Sequence, residues 1–135
     1  IRWKDYFDSM QRASGKFDFP VLMMGYFNTA FAMGFENYCA NIRKNGGEGF
    51  IIPDLPLEEY GDLFELSRKQ DPDPIMLCTP TNTDERLQKI CAQGSGFIYC
   101  VARKGVTGKN TDLDQSANNF LQKWKISQDC HGKLS

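Results

Sequence analysis

The sequence has little of what common catalytic and metal centres are built from. Its 135 residues include a single histidine, and no two of its five cysteines have the C-x-x-C spacing of a zinc or redox site. We therefore expect no metal site. The stretch GVTGKNT (Gly105–Thr111) fails the P-loop pattern, because its two glycines are too close together and Asn110 follows the lysine. A Ser-His-Asp set and a cofactor-lysine motif are also lacking.

Charge and hydropathy exclude further classes of partner. The 16 basic and 17 acidic residues give a formal net charge of -1, whereas nucleic-acid binding needs a basic surface. No apolar run approaches the roughly 20 residues of a membrane helix, and no signal peptide is visible. We expect a cytoplasmic protein that binds neither nucleic acid nor membrane. Because the chain opens at Ile1 without a methionine, we also expect it to be cut from something longer.

The five cysteines agree with that compartment. Cys78 and Cys100 lie in apolar runs, Cys39 and Cys91 lie on apolar helical faces, and Cys130 lies near the end of the chain. Disulfides are rare in the cytosol, where thiols are kept reduced. We interpret these cysteines as buried free thiols.

What the sequence does contain is an alternation of apolar runs and helical periodicity. Four apolar runs predict strands: FPVLMMGYFN (19–28), GFIIPDLP (49–56), PIMLCTP (74–80) and GFIYCVA (96–102). NGG at 45–47 predicts a helix end, and TNTD at 81–84 resembles a capping box. Apolar residues at helical spacing predict five helices, on Trp3, Tyr6, Phe7 and Met10; Phe35, Tyr38, Cys39 and Ile42; Tyr60, Leu63, Phe64 and Ser67; Leu87, Ile90 and Cys91; and Leu113, Ala117, Phe120, Leu121 and Trp124.

This order predicts an α/β fold with four parallel strands and alternating helices. Two architectures fit, an open doubly wound sheet and a (β/α)8 barrel, and the barrel needs eight strand–helix units. In both, ligands bind at the C-terminal ends of the strands. The predicted functional face therefore comprises Tyr26–Asn28, Asp54–Pro56, Thr79–Thr83 and Arg103–Gly108.

Residues at this face have both a functional and a structural interpretation. The glycine-containing loop Arg103–Gly108 is either a mobile lid or an exposed connection. Asp54, between two prolines, is either a site carboxylate or orienting acceptor, or a turn or helix-capping residue. Tyr99 either packs in the core or, in a barrel, points with Tyr26 into a central pocket.

Four segments, PVLMMGYFN, GFIIPDLPLEEY, TPTNTDERLQKI and GFIYCVARKGVTG, resemble the tryptophan synthase alpha chain family in their order and spacing. The resemblance runs from about residue 3 to residue 125 and implies a TIM barrel, of which this chain would supply strands three to six. Residues 1–135 would form a single partial barrel domain, with Ile126–Ser135 as an atypical tail.

The resemblance also implies a reaction and a partner. The family cleaves indole-3-glycerol phosphate to indole and glyceraldehyde 3-phosphate in tryptophan biosynthesis, and uses no cofactor. Indole passes to a beta subunit, which carries pyridoxal phosphate. The family's catalytic glutamate and aspartate lie on the second strand and the loop after it, which would precede Ile1. We thus expect no catalytic residue in this chain and no activity of the chain alone.

An alternative to the lyase function is a non-catalytic half-barrel that acts as a binding or assembly module, because four parallel strands leave two open edges.

Roles for individual residues follow from the resemblance to the family. The family's pattern implies an indole pocket lined by Met24, Tyr26, Ile51, Leu77 and Tyr99. It implies a lid that includes Arg103, Gly105, Thr107 and Gly108, in which Thr107 hydrogen-bonds the catalytic aspartate. The residues that it implies to face the beta subunit are Asn28, Thr29, Phe31, Asp54 and Pro56.

Overall fold

A computed structural model describes residues 2–58, 61–101 and 122, and this part of the chain alternates helices with short strands. The elements are α1 (Trp3–Lys16), β1 (Leu22–Met24), α2 (Phe27–Met33), α3 (Phe35–Lys44), β2 (Gly49–Ile51), α4 (Gly61–Gln70), β3 (Asp73–Pro74), β4 (Met76–Cys78), α5 (Asp84–Gln93) and β5 (Ile98–Cys100).

All paired strands are parallel and follow one another in chain order. β1, β2 and β3 form one sheet, and β4 and β5 form a second. The predicted strand 74–80 is therefore divided, because β3 bonds back to β2 whereas β4 bonds forward to β5. At the break, the amide of Ile75 donates to the carbonyl of Phe50 at 2.9 Å. This sequential order confirms the predicted parallel α/β fold and disagrees with the rearranged order of an open doubly wound sheet.

The core lies between the strands and the helices that cover one side of them. Met23, Phe50 and Cys78 belong to the same buried cluster as side chains from α3, α4 and α5. The Tyr38 ring lies 5.7 Å from that of Phe50, at 72°. Full burial of such a side chain contributes about 1.5–3 kcal/mol, so these contacts hold the helices to the strands. The members of this cluster from α3, α4 and α5 are Tyr38, Cys39, Ile42, Leu63, Phe64, Leu87 and Ile90.

The predicted helical faces are confirmed within the described residues, although four of their members are not fully buried. Tyr6 of α1 is 48% exposed, and the half-buried members are Trp3, Phe35 and Cys91. Ser67 is buried as predicted, and its hydroxyl is satisfied because it donates to the carbonyl of Pro72 at 2.8 Å. Tyr60 and the predicted last helix, 113–124, lie outside the described residues apart from Gln122.

Helix α2 corrects the predicted end of the first strand. The strand was expected to reach Asn28, but β1 ends at Met24 and Tyr26 becomes the residue that precedes α2. The carbonyl of Tyr26 accepts from the amides of Thr29 and Ala30, at 3.1 and 3.4 Å, which closes the first helical turn. The prediction that Tyr26 belongs to a strand is therefore wrong, whereas its assignment to the indole pocket stays a prediction.

Two helix boundaries can be compared with the positions predicted from the local sequence. NGG does end a helix: Gly46 has φ +79°, and the amide of Gly47 donates to the carbonyl of Ile42 at 2.9 Å. The capping box at 81–84 is wrong in its register. Thr83 is the capping residue of α5, and its hydroxyl accepts from the amide of Arg86 at 3.3 Å. An arginine at that position cannot return the bond as an acidic residue would.

The longest described helix is α1, with 14 residues. Among the described residues, none of the helices has the length and apolar character needed to cross a membrane.

Candidate active-site wall

Four of the five residues predicted for the indole pocket lie in two cross-strand pairs. Met24 on β1 is the register partner of Ile51 on β2, and Leu77 on β4 is the partner of Tyr99 on β5. Partners in a parallel ladder project to the same side of the sheet, so each pair presents adjacent side chains. The structure therefore joins positions that are 27 and 22 residues apart along the chain.

These four residues point away from the helices. Side chains alternate between the two faces of a strand, and the neighbours of these residues belong to the helix-covered core. Met24 is 57% exposed and Tyr99 is 48% exposed, Leu77 is half-buried, and Ile51 is buried. We call Met24, Ile51, Leu77 and Tyr99 the strand face. The neighbours that point into the core are Met23, Phe50, Met76, Cys78, Ile98 and Cys100.

Tyr26, the fifth predicted pocket residue, lies just beyond the strand face. The amide of Gly25 donates to the carbonyl of Ile51 at 3.1 Å, which extends the pairing one residue past β1. Tyr26 follows at the start of α2 and is 70% exposed. It belongs to the C-terminal margin of the face rather than to a strand.

Asp54 connects two of the segments predicted to form a protein interface. Its Oδ1 atom accepts from the amide of Phe27 at 2.8 Å, and the amide of Leu55 donates to the carbonyl of Ile52 at 3.2 Å to form a turn around it. This hydrogen bond agrees with the interpretation of Asp54 as a helix-capping residue. The first turn of α2 is thereby attached to the end of β2.

The predicted interface residues on α2 are open to solvent. Asn28 and Thr29 are exposed, and the Phe31 side chain is 59% exposed. The Thr29 hydroxyl donates back to the carbonyl of Tyr26 at 2.6 Å. Pro56, after β2, is half-buried.

The polar segment after β4 forms a closed turn. The amide of Thr79 donates to Asn82 Oδ1 at 2.8 Å, and the amide of Asn82 donates to the Thr79 carbonyl at 3.1 Å. The hydroxyls of Thr79 and Thr81 lie 2.9 Å apart. This segment, predicted as part of the functional face, therefore has a defined backbone at the C-terminal end of its strand.

Glu58, four residues after Asp54, forms ion pairs with two basic side chains of α5. Its carboxylate lies 3.4 Å from an Arg86 guanidinium nitrogen and 3.3 Å from Lys89 Nζ. Hydrogen bonding to its own backbone amide, followed by that to Lys89, lowers the pKa of Glu58. Because the Glu58 carboxylate is exposed, its ion pairs with Arg86 and Lys89 contribute little to the stability of the protein. Across the described ranges, no three His, Cys, Asp or Glu side chains are grouped so that they could hold a metal ion.

A concavity of about 610 Å³ lies at the opposite end of the strands, beside Ser14, Phe17, Lys44 and Glu48. These residues flank the N-terminal ends of β1 and β2, where barrel folds carry stability rather than chemistry. The predicted lid residues Arg103, Gly105, Thr107 and Gly108 lie outside the described residues.

Comparison with known proteins decides the family. A model of the tryptophan synthase alpha chain family matches residues 3–130. The chain belongs to the tryptophan synthase alpha chain family.

Curated tryptophan synthase alpha chains agree with this assignment. The chain is 39% identical over 121 residues to that of Syntrophotalea carbinolica, which covers 90% of this chain and 48% of the relative. It is 47% identical over 102 residues to that of Chloroflexus aurantiacus, covering 76% of this chain and 38% of the relative. The chain thus spans about half the length of the curated relatives it matches.

Solved structures of the family agree on the fold. A chain of the Pyrococcus furiosus tryptophan synthase α2β2 complex superposes with a TM-score of 0.84 and 25% identity, over 93% of this chain and 51% of that one. Mycobacterium tuberculosis tryptophan synthase gives a TM-score of 0.84 and 27% identity, over 96% of this chain and 49% of that one. The parallel strands and helices of this chain correspond to about half of a TIM-barrel alpha subunit.

Proposed function

We propose that this chain supplies the indole-binding wall of a tryptophan synthase alpha chain, a lyase that cleaves indole-3-glycerol phosphate to indole and glyceraldehyde 3-phosphate. The observation that carries the proposal is the strand face, which presents apolar side chains and one tyrosine ring away from the helices. Indole is planar and largely apolar. Such a wall offers it both apolar burial and contact with an aromatic ring, as small-molecule pockets commonly do.

The proposed partner is a beta subunit that receives the indole. Support comes from the exposed α2 surface with Phe31, which Asp54 holds against the end of β2, and from the P. furiosus relative, which is described as an α2β2 complex. On this proposal pyridoxal phosphate belongs to the beta subunit, and the alpha reaction itself needs no cofactor. The protein would act in the cytoplasm.

Catalysis on this proposal needs groups beyond the strand face. The family's acid–base glutamate and aspartate are expected on the second strand and its loop, and Thr107 is expected to hydrogen-bond that aspartate when the lid closes. The 135 residues would bind the indole portion of the substrate without supplying the proton transfers. We therefore expect the 135-residue polypeptide alone to be inactive.

Indole binding tests the proposed wall directly. We expect Tyr99→Ala to weaken indole binding about 2- to 10-fold, because an aromatic contact contributes about 0.5–1.5 kcal/mol. Isothermal titration calorimetry with indole measures the dissociation constant. Tyr6→Ala is the matched control, since Tyr6 is equally exposed, at 48%, but lies on α1. Equal affinities of the two variants, or no indole binding by the unsubstituted chain, would contradict the proposal.

A further inference from the structure

Two cysteines face each other across β4 and β5 on the helix-covered side. Cys78 and Cys100 are register partners in the parallel ladder, and their Sγ atoms lie 3.1 Å apart. Both are free thiols. Neighbouring strands lie about 4.7–4.9 Å apart, which falls within the Cα separations of about 4.4–6.8 Å that a disulfide can span. Only a small side-chain movement separates the two sulfur atoms from bonding distance.

We propose that Cys78 and Cys100 form a reversible cross-strand disulfide when the protein meets hydrogen peroxide. Cys100 reacts first, because it is partly exposed whereas Cys78 is fully buried. Its sulfur attacks one peroxide oxygen, the O–O bond breaks, and the departing hydroxide takes up the thiol proton as water. Cys100 is left as a sulfenic acid.

The second step closes the bond. The Cys78 sulfur displaces oxygen from the Cys100 sulfenic acid, the S–O bond breaks, and a second water leaves with the Cys78 proton. Two thiols lose two electrons in total, and one peroxide is reduced to two waters. A small dithiol reductant reverses the reaction by thiol–disulfide exchange.

The positions of the other described cysteines favour this pairing. Cys39 lies on α3 and is fully buried, and burial raises its pKa to about 11. Cys91 lies on α5 and is half-buried, without a register partner of its own. Burial, followed by the hydrogen bond with Cys100, raises the pKa of Cys78 to about 12. Because the thiolate is the reactive form, closure should accelerate as the pH rises from 7 to 9.

The disulfide would lie on the side of β4 and β5 opposite the proposed indole-binding wall. Leu77 and Tyr99 lie one residue before Cys78 and Cys100 and project to the opposite side of the same two strands. A covalent bond between the strands limits their separation in the native state and constrains the unfolded chain, so the oxidised protein should melt several degrees higher. The gain should disappear on reduction with dithiothreitol.

Peptide mapping of the purified protein tests the proposal. The protein is treated with hydrogen peroxide in native buffer, its remaining thiols are alkylated, and the digest is analysed by mass spectrometry without reduction. Trypsin leaves Cys91 and Cys100 on one peptide, Ile90–Arg103, so chymotryptic cleavage after Phe97 is needed to separate them. A Cys91→Ser variant, analysed in parallel, is the matched control because it retains both members of the proposed pair.

We expect the dominant cross-linked species in the unsubstituted protein and in Cys91→Ser to join the Cys78 and Cys100 peptides, with a mass two hydrogen atoms below their sum. This cross-linked species should be absent from Cys100→Ser. Oxidation of the denatured protein under the same conditions gives the share of each cysteine pair that forms without the native structure. A Cys78–Cys100 yield no higher than that share, a dominant Cys91 linkage, or over-oxidation of Cys100 in place of a disulfide would overturn the proposal.

Discussion

Asp54 shows at the scale of one residue how a side chain can organise a surface that it does not cover. Its carboxylate reaches across 27 positions to the amide of Phe27. That amide belongs to the first residue of α2, and the first N–H groups of a helix generally need acceptors from outside it. A charged acceptor there complements the partial positive charge of the helix N-terminus. The exposed residues Asn28, Thr29 and Phe31 therefore owe their arrangement to a carboxylate in a different loop.

We expect Asp54→Ala to lower the free energy of unfolding by about 1 kcal/mol, as the loss of a capping side chain typically does. Asp54→Asn should cost much less, because its amide oxygen can still accept from Phe27. Urea denaturation followed by circular dichroism measures both. Asp18→Ala, at an exposed aspartate near the opposite end of β1, is the control and should be nearly neutral. An equal loss for Asp54→Ala and Asp18→Ala would argue against the capping role.

At the scale of elements, two glycines distinguish a position beyond the end of a helix from one within its last turn. Gly46, just past α3, has φ +79°, a backbone conformation that other L-residues adopt only with strain. Gly15 lies inside α1 with open space where a Cβ atom would stand. The first glycine is required by the turn from α3 to β2, whereas the second only adds freedom to the unfolded chain.

The same substitution should consequently have opposite effects at the two sites. Gly46→Ala is expected to destabilise the protein by about 1–2 kcal/mol through left-handed strain. Gly15→Ala is expected to stabilise it by roughly 0.5–1 kcal/mol, since alanine is the better helix former. The urea midpoint should fall for the first variant and rise for the second. Shifts of the same sign in both would contradict this account of the two helices.

At the scale of the whole molecule, the helices that pack on the strands within the described residues lie on the side opposite the strand face. In a complete barrel the corresponding residues line the centre and are enclosed by the remaining strands. Here Met24 and Tyr99 are about half exposed, whereas the other side of the same strands packs into the buried core. The chain spans about half the length of the relatives it matches, which is consistent with one wall of an enclosed pocket.

We expect the purified 135-residue polypeptide to release no indole from indole-3-glycerol phosphate above background. Positioned acid–base groups contribute about 10²- to 10⁴-fold each, and the family's pair is expected outside these residues. A coupled assay for indole measures the rate, and a full-length tryptophan synthase alpha chain such as that of C. aurantiacus is the positive control. Saturable turnover by the polypeptide would contradict the prediction that it is inactive.

Much of the fold could be predicted from the sequence, because local hydrophobic periodicity reports which side of each element is buried. Leu63, Phe64 and Ser67 were placed on one helical face, and the structure buries all three. The parallel order follows from alternating strands and helices. The strand-face residues were assigned by resemblance, and the register shows that Met24 adjoins Ile51 and Leu77 adjoins Tyr99.

The remaining features depend on contacts between distant parts of the chain. No local signal marks the start of α2 at Tyr26, because the acceptor that caps it is Asp54, brought close only when β1 and β2 pair. Cys78 and Cys100 belong to separate apolar runs, and only the register of β4 with β5 sets their sulfur atoms 3.1 Å apart. The sequence by itself determined most of the buried helical faces and the parallel order of the main strands. The tertiary structure decided which side chains meet, because pairing register and capping across loops are properties of the assembled sheet.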